Sequence, residues 1–176
     1  MKHIAFDAVA SSDAQVLILG SLPGGTSLLR REYYAYSHNS FWWIMGQLVG
    51  ANPALPYSDR LERLKSRGIA LWDVCRAAER SGSSDSNILL PTVEANNFAA
   101  FFSTHSCLQL IAFNGRAAET IFRRMVVPVV PQLDQIAQQL LPSTSPAHAG
   151  LSREMKLLAW RKALAPFIDV GENLKD

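Results

Sequence analysis

Cysteine is scarce in this chain of 176 residues: Cys75 and Cys107 are the only two. They are too few for an iron–sulfur cluster held by a full set of thiolates, or for a structural zinc built mainly from cysteine. Each lies in or beside an apolar segment, so a reduced, buried thiol is expected at each rather than a disulfide. There is also no apolar run of about 20 residues, and hence no expected transmembrane helix. The opening MKHIAFDAVASSDAQ lacks a long apolar stretch and carries Asp7 and Asp13, unlike a secretory signal. Charge of one sign is scarce too. The 17 Lys and Arg against 15 Asp and Glu leave a formal +2, which does not announce a nucleic-acid protein. No repeat or low-complexity tail interrupts the chain. The expectation is a soluble, cytoplasmic protein with no membrane partner.

What is present is enough apolar residue for one core. At 48% hydrophobic, residues 1–176 fit a single domain. Short apolar runs bounded by turn residues occur at Val16–Leu19, Ile69–Val74, Leu108–Phe113 and, less clearly, Gln139–Leu141. Stretches of helical spacing separate them, the pattern of strands and helices alternating around a parallel sheet. Helices are expected from Phe41, through Leu61–Lys65 with Gly68 as the stop, over Arg116–Arg124 and over Glu154–Phe167. Pro128 and Pro131 make Met125–Val130 an edge strand or a loop. Residues 82–97, rich in Ser, Asp and Asn, read as a long connection. The architecture expected is an α/β fold, a three-layer α/β/α sandwich, with ligands at the carboxyl ends of the strands.

The segment from Leu17 to Met45 is the richest in chemistry. A strand ends in Gly20-Ser21-Leu22-Pro23-Gly24, and such a turn leaves free backbone N–H groups at the mouth of a sheet. Aromatic faces at Tyr33 and Tyr34, beside the amide of Asn39 and the hydroxyl of Ser40, suit a planar heterocycle stacked and read at its edge. Phe41, Trp42, Trp43, Ile44 and Met45 read as the start of a buried helix. By position alone Asn39 reads first as a helix N-cap. Tyr34 reads equally as a packing residue, and Asn114-Gly115 as a turn.

Three motifs in order resemble the uracil-DNA glycosylase superfamily, most closely its hypoxanthine (deoxyinosine) DNA glycosylase branch. They are Gly20-Ser21-Leu22-Pro23-Gly24, then Tyr33-Tyr34-Ala35 with Asn39 and Phe41-Trp42, then Leu141-Pro142-Ser143-Thr144-Ser145-Pro146-Ala147. Leu71-Trp72-Asp73-Val74 with Gly82-Ser83-Ser84-Asp85-Ser86, and Phe113-Asn114-Gly115, add to the likeness, which spans roughly residues 15 to 165. The resemblance implies a short, mainly parallel four-stranded sheet. It also implies a monofunctional glycosylase of base excision repair. Such an enzyme hydrolyses the N-glycosidic bond of a deaminated base, hypoxanthine first with uracil and xanthine as further candidates, and leaves an abasic site.

The same resemblance assigns roles. Asn39 is the catalytic water-positioner, and Ser21, Gly24, Tyr34 and Asn114 bind the base. Ser143, Thr144, Ser145, His148 and Arg153 bind DNA, and Leu151 is a candidate wedge for the gap left by the flipped nucleotide. No cofactor or metal is implied; the partner is double- or single-stranded DNA carrying a damaged base, and the protein is a monomer. Basic residues near the motifs, Arg30, Arg31, Arg153 and Lys156, are candidates for a DNA-facing patch. Leu22 stands where other branches place an Asp or Asn, and Leu141 where the uracil-specific branch has His, so both argue for the hypoxanthine branch. Ala35-Tyr36-Ser37-His38 departs from the branch's frequent Ala-His-Pro, which bears on substrate preference. Asp73 and Asp85 are alternative water-positioners, although a buried helix cap or a loop salt bridge is the first expectation for each. Two other readings compete. One is a noncatalytic α/β nucleotide- or phosphate-binding module, with the missing Gly-Lys-Ser/Thr arguing against a nucleoside triphosphatase. The other is a mismatch-specific uracil/thymine DNA glycosylase.

Overall fold

The computed structural model describes residues 1–170. The last six residues of the expected domain, 171–176, lie outside the described residues. In chain order the elements are β1 (Lys2–Ile4), β2 (Val16–Gly20), α1 (Gly25–Arg30), α2 (Phe41–Val49), α3 (Tyr57–Ser66), β3 (Ile69–Asp73), β4 (Cys75–Glu79) and β5 (Glu94–Ala95). Then come α4 (Phe98–Thr104), β6 (Leu110–Asn114), α5 (Arg116–Met125), β7 (Ala137–Leu141) and α6 (Arg153–Leu164).

Four strands form a parallel sheet in the order β3-β2-β6-β7, with Val16 in register with Ile69 and with Leu110. β2, β3 and β6 are buried along their whole length, as strands covered on both faces must be. Side chains alternate between the faces. Leu17 and Leu19 join Phe98, Phe113 and Phe122 in the core beneath α4 and α5. Val16 and Ile18 join Phe41, Leu64 and Trp160 beneath α2, α3 and α6. The three-layer α/β/α arrangement expected from the alternating pattern is therefore the one observed.

β7 is the exposed edge strand, with only Leu141 buried, which is why its apolar signal is the weakest of the four. Met125–Val130 resolves to the loop alternative, since Val127–Val129 is a short 3₁₀ turn. Gly68 ends α3 at φ 71°, a left-handed conformation that glycine adopts without a Cβ penalty. The connection 82–97 carries two 3₁₀ turns before β5. A small antiparallel sheet, β1-β4-β5, has no counterpart in the sequence expectations, because its strands are short and not uniformly apolar. Among the described residues, no helix is long and apolar enough to cross a membrane.

Candidate active site

Parallel strands deliver their carboxyl ends to one side, and here those ends are Gly20, Asp73, Asn114 and Leu141. The loops that follow enclose a cleft of about 650 Å³. Ser21, Gly24, Tyr34, Asn39 and Asn114 all line it, as do Ser143, Thr144, Ser145 and His148. Arg153 does not. It is exposed on the first turn of α6, with its guanidinium 4.5 Å from the centre of the Trp43 ring. Leu151 is half-buried and also absent from the lining.

The Asn39 loop is tied at several points. Asn39 N–H donates to the Tyr36 carbonyl (2.8 Å), and Ser40 N–H donates to the Thr144 carbonyl (3.0 Å). Ser40, not Asn39, occupies the N-cap of α2. Asn39 Oδ1 nonetheless accepts from the Phe41 N–H (3.0 Å), supporting the first turn from one residue before the cap, and Asn39 also lines the cleft. An amide oxygen has two acceptor directions. One therefore remains for a second donor.

Asn114 is fixed from both ends. Its Oδ1 accepts from the Thr144 backbone N–H and its Nδ2 donates to Thr144 Oγ1, both at 2.9 Å. A backbone N–H can only donate, so the orientation of this amide is settled by chemistry. Gly115, at φ 93°, lets the chain turn directly into α5; a Cβ there would lie 2.9 Å from Ser143 Cβ. Thr144 itself is fully buried. Its hydroxyl is engaged by Asn114, so the expected phosphate contact is corrected to a role in holding that amide. Ser143 and Ser145 stay half-exposed at the cleft. The loop bearing them is anchored by α6, where Trp160 Nε1 donates to the Pro142 carbonyl (3.0 Å) and Lys156 Nζ to the Ser145 carbonyl (3.0 Å). Lys156 is 3% exposed and so leaves the expected basic patch.

The two tyrosines separate. Tyr33 is a core residue, packed edge-on against Phe6, its hydroxyl donating to the Asp7 carbonyl (3.1 Å); it touches the cleft wall with only 3% of its surface exposed, unlike the open aromatic face expected. Tyr34 sits at φ 54°, an uncommon conformation for a non-glycine residue, and stacks on Phe41 at 4.0 Å. Trp43 is half-buried, unlike Phe41, Trp42, Ile44 and Met45 beside it. Cys75 is buried as expected, whereas Cys107 is exposed, which corrects the expectation of a buried thiol there.

Asp73 and Arg80 are the residues that sequence reasoning undervalued. Asp73 ends β3 and caps no helix, which corrects that expectation; it lies against Gly20, where a Cβ would stand 2.3 Å from Asp73 Oδ1 and force the carboxyl to shift. Burial, and then the Asp85 carboxylate, push its carboxyl up to about 8, against the opposing pull of Arg80. Arg80 is 2% exposed. It donates to the carbonyls of Leu22 and Gly82 (3.2 Å each) and of Pro23, and lies 3.6 Å from Asp85. Asp85 thus takes the loop salt bridge expected of it. An arginine before a serine-rich loop looks solvated in sequence, and only the fold reveals what it holds. Among the described residues, no three His, Cys, Asp or Glu side chains converge as a metal site.

The profile of the family described as Uracil DNA glycosylase superfamily matches residues 6–167. A protein of Methanosarcina acetivorans named hypoxanthine DNA glycosylase is 36% identical over 152 residues, covering 84% of this chain and 89% of its own. One of the same name from Methanosarcina barkeri is 37% identical over 129 residues, covering 71% of this chain and 80% of its own. A solution NMR structure from Methanosarcina acetivorans, provisionally named a uracil DNA glycosylase, superposes with a TM-score of 0.73 at 34% identity. It covers 92% of this chain and 98% of the other.

Proposed function

Because this chain belongs to the uracil DNA glycosylase superfamily, we propose that it excises hypoxanthine from DNA by hydrolysis, with Asn39 positioning the water and Asn114 reading the base. That it is a DNA glycosylase for deaminated bases, with DNA as its partner, follows from the family and from both relatives. The finer reading is a single-domain, intracellular monomer acting on duplex or single-stranded DNA, with hypoxanthine ahead of uracil and xanthine.

The observation that carries the substrate class is the locked Asn114 amide. Its two bonds to Thr144 leave one N–H and one oxygen lone pair directed elsewhere. Deamination of adenine replaces an acceptor nitrogen and a donor amine by a donor N–H and an acceptor carbonyl. An amide whose oxygen cannot exchange places with its nitrogen matches the second edge and opposes the first. Uracil and xanthine carry the same donor–acceptor pair. Guanine and thymine carry it too, so the locked amide opposes adenine and cytosine and admits the bases that their deamination produces.

In the reaction the C1′–N9 bond breaks with its electron pair passing to the base, and a water oxygen bonds to C1′. The proton that water loses ends on the released base. The free acceptor direction of Asn39 Oδ1 orients that water, and no strong base is required where charge separation precedes attack. The base must first leave the stack, and Tyr34 supports its ring in the cleft. Ser21 and Gly24 line the base's surroundings with backbone groups. Ser143, Ser145, His148 and Arg153 approach the phosphates beside it.

Duplex oligonucleotides carrying one hypoxanthine, uracil, xanthine or mismatched thymine, incubated with excess protein and then treated with hot alkali, test the proposal. Strand breaks at hypoxanthine, faster than at the other three, are expected. Faster breaks at mismatched thymine or uracil would point to the mismatch-specific reading, and nucleotide binding without any break to a noncatalytic module.

A further inference from the structure

We infer that Asp73 contacts the flipped base directly, its carboxyl group hydrogen-bonding an acceptor nitrogen that Asn114 leaves free, and the inference rests on the glycosylase reading above. Asp73 lines the cleft although it is 3% exposed. Its Oδ2 is buried without a hydrogen-bond partner, and so is the hydroxyl of Tyr34. The two groups crowd one spot, since a Cβ on Gly20 would meet Asp73 Oδ1 at 2.3 Å and Tyr34 Oη at 3.0 Å. Asn114 stands close enough to favour the ionised tyrosine slightly, yet no hydrogen bond to Tyr34 forms. Orphaned polar atoms in a folded interior are costly and uncommon. Two at one place in a cleft mark where a ligand's polar edge completes the set.

The surroundings keep the carboxyl a donor. Arg80 faces it from the end of β4 and Asp85 from the serine-rich loop, with opposite effects, and burial outweighs both. Tyr33, Tyr34 and the Cys75 thiol are all raised by burial, Cys75 to about 12, so none ionises before Asp73. His148 and Arg116 face the cleft from the last loop and the start of α5. At neutral pH a protonated Asp73 offers one O–H. As the C1′–N9 bond breaks, negative charge builds on the base, and a hydrogen bond donated to it strengthens at that moment. Asp73 retains its proton throughout.

Single-turnover excision of hypoxanthine from duplex DNA between pH 6 and 10 is the test. The natural protein should hold a level rate and then fall about tenfold per pH unit above the Asp73 midpoint, which is about 8 in the free protein and higher with DNA bound. The Asp73→Asn protein should be slower by about tenfold or more at pH 7 and should lack that fall. Ionisation of the base's own N–H would bend both profiles alike, so a shared bend, or none in either protein, overturns the inference. A second measurement needs no variant: the ¹³C titration of the Asp73 carboxyl, with and without a duplex carrying a cleavage-resistant 2′-fluorinated deoxyinosine. The midpoint should move upward on binding, and an unmoved midpoint overturns the contact. Absence of excision on every oligonucleotide would sink the glycosylase reading instead, while the titration still decides whether Asp73 meets the base.

Discussion

Asn39 and Asn114 line the same cleft with the same side chain, and they are held in opposite ways. Asn114 ends a buried strand and spends both ends of its amide on Thr144. Asn39 lies in a loop with one bond, from the Phe41 N–H to its oxygen, and its NH₂ group has no partner among the described residues. The first arrangement fixes which hydrogen-bond pattern the cleft accepts. The second leaves hydrogen-bonding capacity at both ends of the amide. In the proposed roles, identical residues divide between reading and reacting according to how much of their bonding the fold has already used.

The sharpest break of that comparison is Asn39→Ala. Excision of hypoxanthine should slow by about 1000-fold, as when a positioned transition-state hydrogen-bonding group is removed, while the lost bond to Phe41 should cost only about 0.5–1 kcal/mol of stability. Single-turnover assays beside a thermal melt check both. Near-normal excision would remove Asn39 from the chemistry.

Asn114→Ala should instead strike the fold, by about 3 kcal/mol, because the Thr144 hydroxyl and N–H are left buried and unpaired. Urea unfolding measures it. A loss as small as that for Asn39 would mean that Asn114 is not the anchored member of the pair.

Asp73 extends the contrast to a group whose bonding is unfinished. Its carboxyl is raised from an ordinary 3.8 to about 8 in the folded state, so the stability it contributes is present in acid and lost as pH climbs through that value. From pH 6 to 8 the unfolding free energy should fall by about 2 kcal/mol through this group. In Asp73→Asn the contribution should vanish, seen as melting curves that no longer shift over that range; a shift of equal size would assign the titration elsewhere.

The smallest effect is expected for Tyr34→Phe. Deleting an orphaned hydroxyl should raise stability by about 1 kcal/mol, with the stack on Phe41 kept. Excision should drop a few-fold if that hydroxyl completes its bonding on the base. Higher stability with unchanged excision would leave the ring alone to do the work.

The layers of the fold were legible because their causes are local. Three strands are short apolar runs and the helices repeat their apolar residues at helical spacing, whereas the edge strand β7 gave a weak signal because only Leu141 is buried. The cleft lining was legible through motifs, which carried Asn39, Tyr34 and Asn114 to one place before any contact was known. Burial was not. Nothing local distinguishes Thr144 from its neighbours Ser143 and Ser145, or Tyr33 from Tyr34. Their fates depend on a partner 30 residues distant for Thr144 and on the N-terminal segment for Tyr33. Arg80 escaped for the same reason, and Asp73 was named only as an alternative water-positioner: both are charged residues placed inside by neighbours that the sequence puts far away.

Arg80 has one more effect, and it is entropic. Its guanidinium joins the Leu22–Pro23 turn to the Gly82–Asp85 loop, two segments roughly 60 residues apart that form parts of one cleft. Their relative position is therefore set when the chain folds, not when DNA arrives. A ligand entering such a cleft spends little of its binding energy on ordering loops, and more remains for drawing a base out of the helix.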